Sequence, residues 1–435
     1  MKPKYFLFVL GCQMNKSDAE RLETILEQIG YEKTSREDKA DFIGVVSCAV
    51  RQSAMDRIYG KIRSWNLIKE KRPLITMLTG CVLKKDKEKL KYHFDILLDI
   101  KDIQKLPEEL KKRNAQLGDF IPTTSYLSLK PKYESKFKAY VPIMTGCNKF
   151  CTYCAVPYTR GFEISRPAEE IYQEVKELID QGYKEITLLG QNVNSYGNDT
   201  IDKRSPNYGK ELPTFPELLH EINSWPGDFW LRFITSHPYD MSDELIEVMA
   251  ERNHLAEYLH LPVQSGSDEI LHKMNRYYTV DHYLERLEKV RQAIPEISIS
   301  TDIIVGFCGE TEQQFAETAK LMEKVGYDMA YIARYSPRPG TAAARAFPDD
   351  VPAEIKKERE KILTEILKKT ALAFNKKFIG QEVDVLVEGV KKGKLIGKNR
   401  QFKTVTFAGP KNLIGQFVKV KITDATAWGL NGEIA

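Results

Sequence analysis

Three cysteines stand close together in Cys147-Asn-Lys-Phe-Cys151-Thr-Tyr-Cys154. At this spacing three thiolates can converge from a single loop. Three ligands leave one iron of a 4Fe-4S cluster without a protein donor. That iron can be chelated by the amino and carboxylate groups of S-adenosylmethionine (SAM). Structural zinc asks for a fourth protein ligand, and no nearby His or Cys supplies one. Ligand number and softness favour an iron–sulfur cluster.

Cys12, Cys48 and Cys81 form a second set. A lone cysteine is usually a small core residue. Each of these, however, follows one of the first three strand-like runs, and parallel sheets collect ligands at strand carboxyl ends. A second cluster and three packed thiols are the two readings that this pattern leaves open. Cys308 lies in Gly306-Phe-Cys-Gly-Glu-Thr311 without partner spacing and is expected to be a packed thiol. Seven cysteines in 435 residues, an odd number, argue against a disulfide framework.

These residues need strands to carry them. Tyr5–Leu10, Phe42–Val46, Leu74–Leu78 and Phe94–Ile100 are apolar runs of strand length, and helical stretches separate them. Ser17-Asp-Ala-Glu20 reads as a capping box ahead of Leu22, Ile25, Leu26 and Ile29. Strands alternating with helices predict a parallel sheet. Asp119–Lys136 is a polar connector. Beyond it the alternation repeats six times, with strands near Ala139–Met144, Glu185–Leu189, Trp230–Thr235, Glu257–Leu261, Ile297–Val305 and Met329–Arg334. Six units suit a partial barrel with its site at the strand carboxyl ends; an open doubly wound sheet is the alternative. Pro352–Phe374 reads as one long helix. The short strands Val383–Val387, Lys394–Ile396, Thr404–Phe407 and Phe417–Ile422 then predict a small all-β barrel.

Polar residues at barrel strand ends are site candidates. They are Gln191 after the second strand, His237 after the third, Gln264 and Ser265 after the fourth, Asp302 within the fifth and Arg334 at the end of the sixth. Each has a bland alternative as a cap or turn former, and for His237 that alternative is preferred.

Apolar residues make up 42% of the chain, enough for a buried core. No apolar run approaches the length of a membrane span. The N-terminus lacks a secretory signal pattern, so a cytoplasmic protein is expected. The net charge is +4 overall, but Lys376–Ala435 holds eleven Lys/Arg against five Asp/Glu, a balance of +6. The rest of the chain is therefore slightly acidic, and the tail suggests a polyanionic partner. Lys391, Lys392, Lys394, Lys398, Arg400 and Lys403 surround Phe402 in one hairpin-like stretch, a candidate RNA-binding set.

The sequence resembles the radical-SAM methylthiotransferases, and most of all the MiaB-type tRNA-2-methylthio-N6-dimethylallyladenosine synthases. The likeness rests on Gly11-Cys-Gln-Met-Asn15, Cys147–Cys154 with Pro157-Tyr-Thr-Arg-Gly161, and Leu189-Gly-Gln-Asn-Val193. It extends through Leu261-Pro-Val-Gln-Ser-Gly-Ser267, Asp302-Ile-Ile-Val-Gly306 and Tyr335-Ser-Pro-Arg-Pro-Gly-Thr341. Two positions depart from the family pattern: Val46-Ser47 precede Cys48 where Asn-Thr is common, and Cys308 stands where Pro is common.

The resemblance implies three domains: an N-terminal α/β methylthiotransferase domain over 1–118, a (βα)6 radical-SAM core over 133–372 and a TRAM barrel over 373–435. It assigns Cys147, Cys151 and Cys154 to the SAM-binding cluster and Cys12, Cys48 and Cys81 to an auxiliary 4Fe-4S cluster. Tyr153, Gln191, Gln264, Ser265, Asp302 and Arg334 are the expected SAM contacts. The resemblance implies a SAM-dependent transfer of a methylthio group to C2 of N6-isopentenyladenosine at position 37 of tRNA. One SAM methylates sulfur held at the auxiliary cluster, and another yields the radical that opens the adenine C–H. An external flavodoxin- or ferredoxin-like electron donor is expected and no membrane partner. The oligomeric state stays open, with a monomer favoured. The alternatives are a methylthiotransferase acting on threonylcarbamoyladenosine tRNA or on a ribosomal protein, a non-enzymatic iron–sulfur RNA-binding or redox protein, and a zinc-bound RNA-binding module. Gln13-Met14 favours the prenylated-adenosine branch.

Overall fold

The structure, a computed structural model, describes residues 2–48, 52–113, 117–123 and 125–435. By its contacts the chain divides into two compact units. One comprises 1–135, 144–166 and 337–345; the other comprises 136–143, 167–336 and 346–435.

In the first unit, β1 (Lys4–Val9), β2 (Glu32–Lys33), β3 (Phe42–Cys48), β4 (Ile75–Cys81) and β5 (Ile96–Leu97) form a sheet of order β2-β1-β3-β4-β5. Every pairing is parallel. The central β3 is buried along its whole length, as a strand covered on both faces must be. The order reverses between β1 and β3, and open parallel sheets bind ligands at such a switch point, outside the strand carboxyl ends. The first helix spans Gln13–Gln28 and starts four residues before the sequence-predicted cap. Asn15 explains the early start: its Nδ2 donates to Ser47 O at 2.7 Å, pinning the first turn against the end of β3. Leu22, Ile25 and Leu26 are buried as the apolar spacing requires. The helix Gln52–Lys69 contributes Met55, Ile58, Ile62 and Trp65 to the core with Ile43, Val45 and Leu78.

The second unit begins with β6 (Lys138–Pro142). The chain next forms a two-residue antiparallel pair in the first unit, β7 (Met144–Thr145) with β8 (Ile164–Ser165), and the cysteine loop lies between them. In the second unit follow β9 (Glu185–Leu189), β10 (Trp230–Ile234), β11 (Tyr258–His260), β12 (Ser298–Val305) and β13 (Met329–Arg334). They make two parallel three-stranded sheets, β6-β9-β10 and β11-β12-β13, joined by a bridge from Leu231 to Leu255. The six strands therefore stand in chain order without a reversal. That is the order of a partial barrel and not of a doubly wound sheet.

A long helix, Ala353–Lys376, leads to β14 (Glu382–Lys391), β15 (Lys394–Asn399), β16 (Thr404–Phe407), β17 (Phe417–Thr426) and β18 (Gly429–Ile434). These close into a barrel of order β14-β15-β16-β18-β17 around Val385, Val387, Leu395, Val405, Phe407, Val420, Ile422 and Leu430. The strand β18 was not foreseen, because Gly-Leu-Asn-Gly has turn-like composition. Among the described residues no helix is long and apolar enough to cross a membrane.

Candidate functional site: two cysteine sets and a polar barrel face

Cys48 and Cys81 close β3 and β4 as direct register partners. In parallel strands such partners point the same way. Cys12 follows β1, the strand paired with β3 on its other side, and is the N-cap of the first helix. Glycines permit the approach. Gly11 has φ +124°, and a Cβ there would lie 2.8 Å from Cys48 Cβ; Gly80 has φ +96°, and its Cβ would lie 2.5 Å from Ser47 O. Neither position tolerates a side chain.

The charges around this set are unusual for a packed core. Arg160, from the segment after the cysteine loop, donates from Nε to Cys81 Sγ at 3.0 Å. Its Nη2 donates to Asp18 Oδ2 at 2.6 Å, and both side chains are buried. Its Nη1 lies 3.4 Å from the Tyr126 hydroxyl. Burial pushes the Cys81 thiol up to about 11; Arg160 pulls against that rise, while Asp18, Cys48 and Cys12 add to it. A buried guanidinium aimed at a sulfur is the donor expected where that sulfur carries negative charge as a metal ligand. The three thiols, the glycine cradle and this cation fit a cluster ligated by Cys12, Cys48 and Cys81. Among the described residues no three His, Cys, Asp or Glu side chains gather round one point as a single ion requires. A four-iron cluster asks thiolates to surround it at wider spacing.

The second set lies on the loop between β7 and β8. Cys147 N donates to Gly161 O at 3.2 Å, and Cys154 N donates to Cys151 O at 2.9 Å, folding the loop into turns. Val156 N donates to Cys154 Sγ at 3.4 Å. Burial pushes the Cys147 thiol up to about 12, with the Cys151 thiol adding to the rise. Phe150, at φ +49°, sits between Tyr158 and Phe162. Tyr153 is half-buried in the same loop. Leu83, two residues past Cys81, packs on Ala155, next after Cys154. Three thiols on a short turn fit a cluster with one iron left open to SAM.

In the second unit one barrel face is polar. Tyr258 and Ser300 hydroxyls lie 2.7 Å apart, and Ser300 Oγ lies 2.8 Å from His260 Nδ1. His260 Nε2 is 3.6 Å from Asp302 Oδ2, and its ring meets Tyr331 edge-on. Gln264, at φ +73°, donates from N to Asp302 O and accepts from Ile304 N, continuing the β11–β12 ladder. The structure thus brings Gln264 and Asp302 together. Ser265 is fully buried and accepts from Ser267 N, as a turn former does. Gln191 is half-buried just past β9. Arg334 differs: it shares a strand face with Ala330 and Ile332, opposite to Tyr331, and its Nε pairs with Glu360 on the long helix at 3.3 Å. It stands apart from the polar face. His237 accepts from Tyr239 N, the capping role expected of it. Cys308 is buried, and burial raises its thiol.

The expected RNA-binding set divides, and half of it is corrected. Lys391, Lys392 and Lys394 are exposed at the β14–β15 turn. Arg400 and Lys403 instead face the six-stranded barrel's carboxylates and carbonyls, and Lys398 turns to its own hairpin. Lys403 pairs with Asp328 in a buried contact. Arg400 pairs with Glu257. Lys398 donates to Thr404 Oγ1 at 2.8 Å, and burial lowers its pKa. Phe402, at the centre of that stretch, packs on Tyr258 with Arg232 over its face. Charge spacing along the chain could not reveal Glu257 and Asp328, which lie far upstream.

Sequence reasoning also passed over Arg160, Asp18 and His260. Arg160 lies within a motif already singled out, but its partners are distant in the chain. Asp18 looked like part of a helix cap.

Residues 141–322 match the Radical SAM superfamily, residues 4–99 match the Uncharacterized protein family UPF0004, and residues 376–435 match the TRAM domain. A tRNA-2-methylthio-N(6)-dimethylallyladenosine synthase from Thermoanaerobacter sp. (strain X514) is 46% identical over 99% of this chain and 92% of its own. Proteins of the same name are 43% identical in Clostridium botulinum (strain Langeland / NCTC 10281 / Type F), over 99% of this chain and 96% of theirs, and 44% identical in Geobacillus kaustophilus (strain HTA426), over 99% and 82%. Among solved structures, the radical S-adenosylmethionine methyltransferase TsrM from Kitasatospora setae aligns with TM-score 0.56 at 12% identity, covering 79% of this chain and 74% of that one. The likeness to TsrM is one of fold. With the three matched segments and full-length identity above 40%, the chain belongs to the family of tRNA-2-methylthio-N(6)-dimethylallyladenosine synthases.

Proposed function

We propose that this protein is a radical-SAM transferase that adds a methylthio group to C2 of N6-isopentenyladenosine at position 37 of tRNA. The observation that carries the reading is the buried Arg160 on Cys81, within a three-thiol strand-end set that belongs to the same compact unit as the Cys147 loop. The protein uses two 4Fe-4S clusters and SAM. When bound, these supply one-electron cleavage of SAM and a held sulfur for methylation and transfer to an unreactive adenine carbon.

The chain's own residues bind and orient. Cys147, Cys151 and Cys154 hold the cluster that SAM completes, and Tyr153 borders it. Cys12, Cys48 and Cys81 hold the auxiliary cluster. Buried Asp18 and Arg160 keep water from the Cys81 side. Gln191, Gln264 and Asp302 orient SAM from the barrel strand ends, and His260 stands beside the Asp302 carboxylate. Ser265 and Arg334 act indirectly, through turn geometry and the Glu360 pair. Lys391, Lys392 and Lys394 attract tRNA phosphates, with a flavodoxin- or ferredoxin-like donor supplying electrons to a monomeric, cytoplasmic enzyme.

Mass spectrometry of tRNA nucleosides from cells with and without the protein tests the reading. Loss of 2-methylthio-N6-isopentenyladenosine on deletion is expected. Loss of the threonylcarbamoyl counterpart instead would move the protein to another branch.

A further inference from the structure

We propose that Arg160 is a positioning residue that sets the reduction potential of the cluster held by Cys12, Cys48 and Cys81, through its hydrogen bond to the Cys81 sulfur. This rests on those cysteines being cluster ligands. Arg160 comes from the other cysteine segment: Gly161, its neighbour, accepts the backbone hydrogen bond of Cys147. One residue therefore ties the turn that holds Cys147 to the sulfur of Cys81.

The geometry is that of a fixed donor. Nε points at Cys81 Sγ, Nη2 is held by Asp18, and Nη1 meets Tyr126, so each guanidinium nitrogen has a partner. Arg160 is 5% exposed and Asp18 1%, so solvent screens this charge little. Hydrogen bonds and positive charge at ligand sulfurs favour the reduced, more negative cluster. Asp18, at the same depth, acts with the opposite sign. The pair thus sets the potential by a difference of two nearby charges, and removing either should move it in a defined direction.

The test uses full-length protein carrying Cys147→Ala, Cys151→Ala and Cys154→Ala, reconstituted anaerobically with iron and sulfide, so that the auxiliary cluster gives the only signal. Its midpoint potential is read by potentiometric EPR titration, alone and with Arg160→Gln or Asp18→Asn added. Arg160→Gln should shift the midpoint to more negative values, and Asp18→Asn to more positive ones. A merely structural pair would lower thermal stability in both variants while leaving the midpoint in place. Midpoints that stay at the parent value, or move in the same direction, overturn the proposal. Should Arg160→Gln hold no iron, Asp18→Asn decides alone: a raised midpoint supports the proposal and an unchanged or lowered one defeats it. A parent protein without iron would instead refute the ligand assignment of Cys12, Cys48 and Cys81, and the proposal would fall with it.

Discussion

Arg400 Nε lies 3.0 and 2.9 Å from the two carboxylate oxygens of Glu257, joining the C-terminal barrel to the segment that enters β11. Around this grip Arg232 donates to the carbonyls of Asn399 and Arg400 at 2.8 and 2.7 Å, and Lys403 meets Asp328. Glu185 and Lys138 complete the set, with Lys138 also pairing to Glu388. Burial opposes ionisation of Glu185, yet Arg232 and Lys138 hold its carboxyl below the usual range. The β15–β16 turn is thus docked on the strand-entry end of the six-stranded barrel by charge pairs with little access to water.

Breaking one such pair should be costly. Asp328→Asn leaves the buried Lys403 without its counter-charge, and removing one partner of a buried pair typically costs about 3–5 kcal/mol. The expected outcome is a lowered midpoint in denaturant with the C-terminal barrel undocked, read by limited proteolysis after the long helix. Unchanged stability would show that Lys403 finds another acceptor.

The lysines at the β14–β15 turn should govern tRNA affinity. Replacing Lys391, Lys392 and Lys394 by Gln removes three phosphate contacts and should reduce the slope of log affinity against log salt by roughly 2–3. Arg400→Gln, which breaks the docked Glu257 pair, should leave that slope close to wild type. Filter binding across a salt series distinguishes the two.

The two cysteine sets should do different work. Cys12→Ala, Cys48→Ala and Cys81→Ala together should remove about half of the reconstituted iron if both sites hold similar clusters. Reductant-driven 5'-deoxyadenosine formation should persist while the methylthiolated nucleoside disappears. The triple replacement of Cys147, Cys151 and Cys154 should abolish both products. Methylthiolated product at the wild-type rate in the first variant would return its three cysteines to packed thiols. Because both sets lie in one unit and share Arg160, the Cys147 loop is expected to lose order when the N-terminal sheet is deleted, against the independence its compact spacing suggests.

Glu20 should make stability depend on pH. Burial pushes its carboxyl up to about 7, against a hydrogen bond from Glu134 N that lowers it. A carboxyl raised in the folded state stabilises below its unfolded value, and that contribution is lost as pH rises through about 7. Wild-type protein should therefore lose stability between about pH 5 and 7.5 at this site. Glu20→Gln should be more stable than wild type at pH 8 by about 1–3 kcal/mol and equal to it near pH 5. Denaturant melts at the two pH values check the sign.

The chemistry was legible where its residues are local. Cys147, Cys151 and Cys154 span one short loop, so their convergence follows from spacing alone. Cys12, Cys48 and Cys81 became a set once β1, β3 and β4 were recognised by their apolar runs, because parallel strands deliver their carboxyl ends to one edge. Tertiary structure alone decided the rest. Arg160 and Asp18 are 142 residues apart, and no local pattern announces that an aspartate of the first helix meets an arginine from a later loop. Lys398, Arg400 and Lys403 read as a solvated basic patch because charge along a sequence carries no record of opposing charge across space. Glu257 and Asp328 reach Arg400 and Lys403 only through the packing of one barrel on the other. Local periodicity fixes which face of a strand or helix is apolar; which distant charge a buried cation meets is a property of the assembled chain.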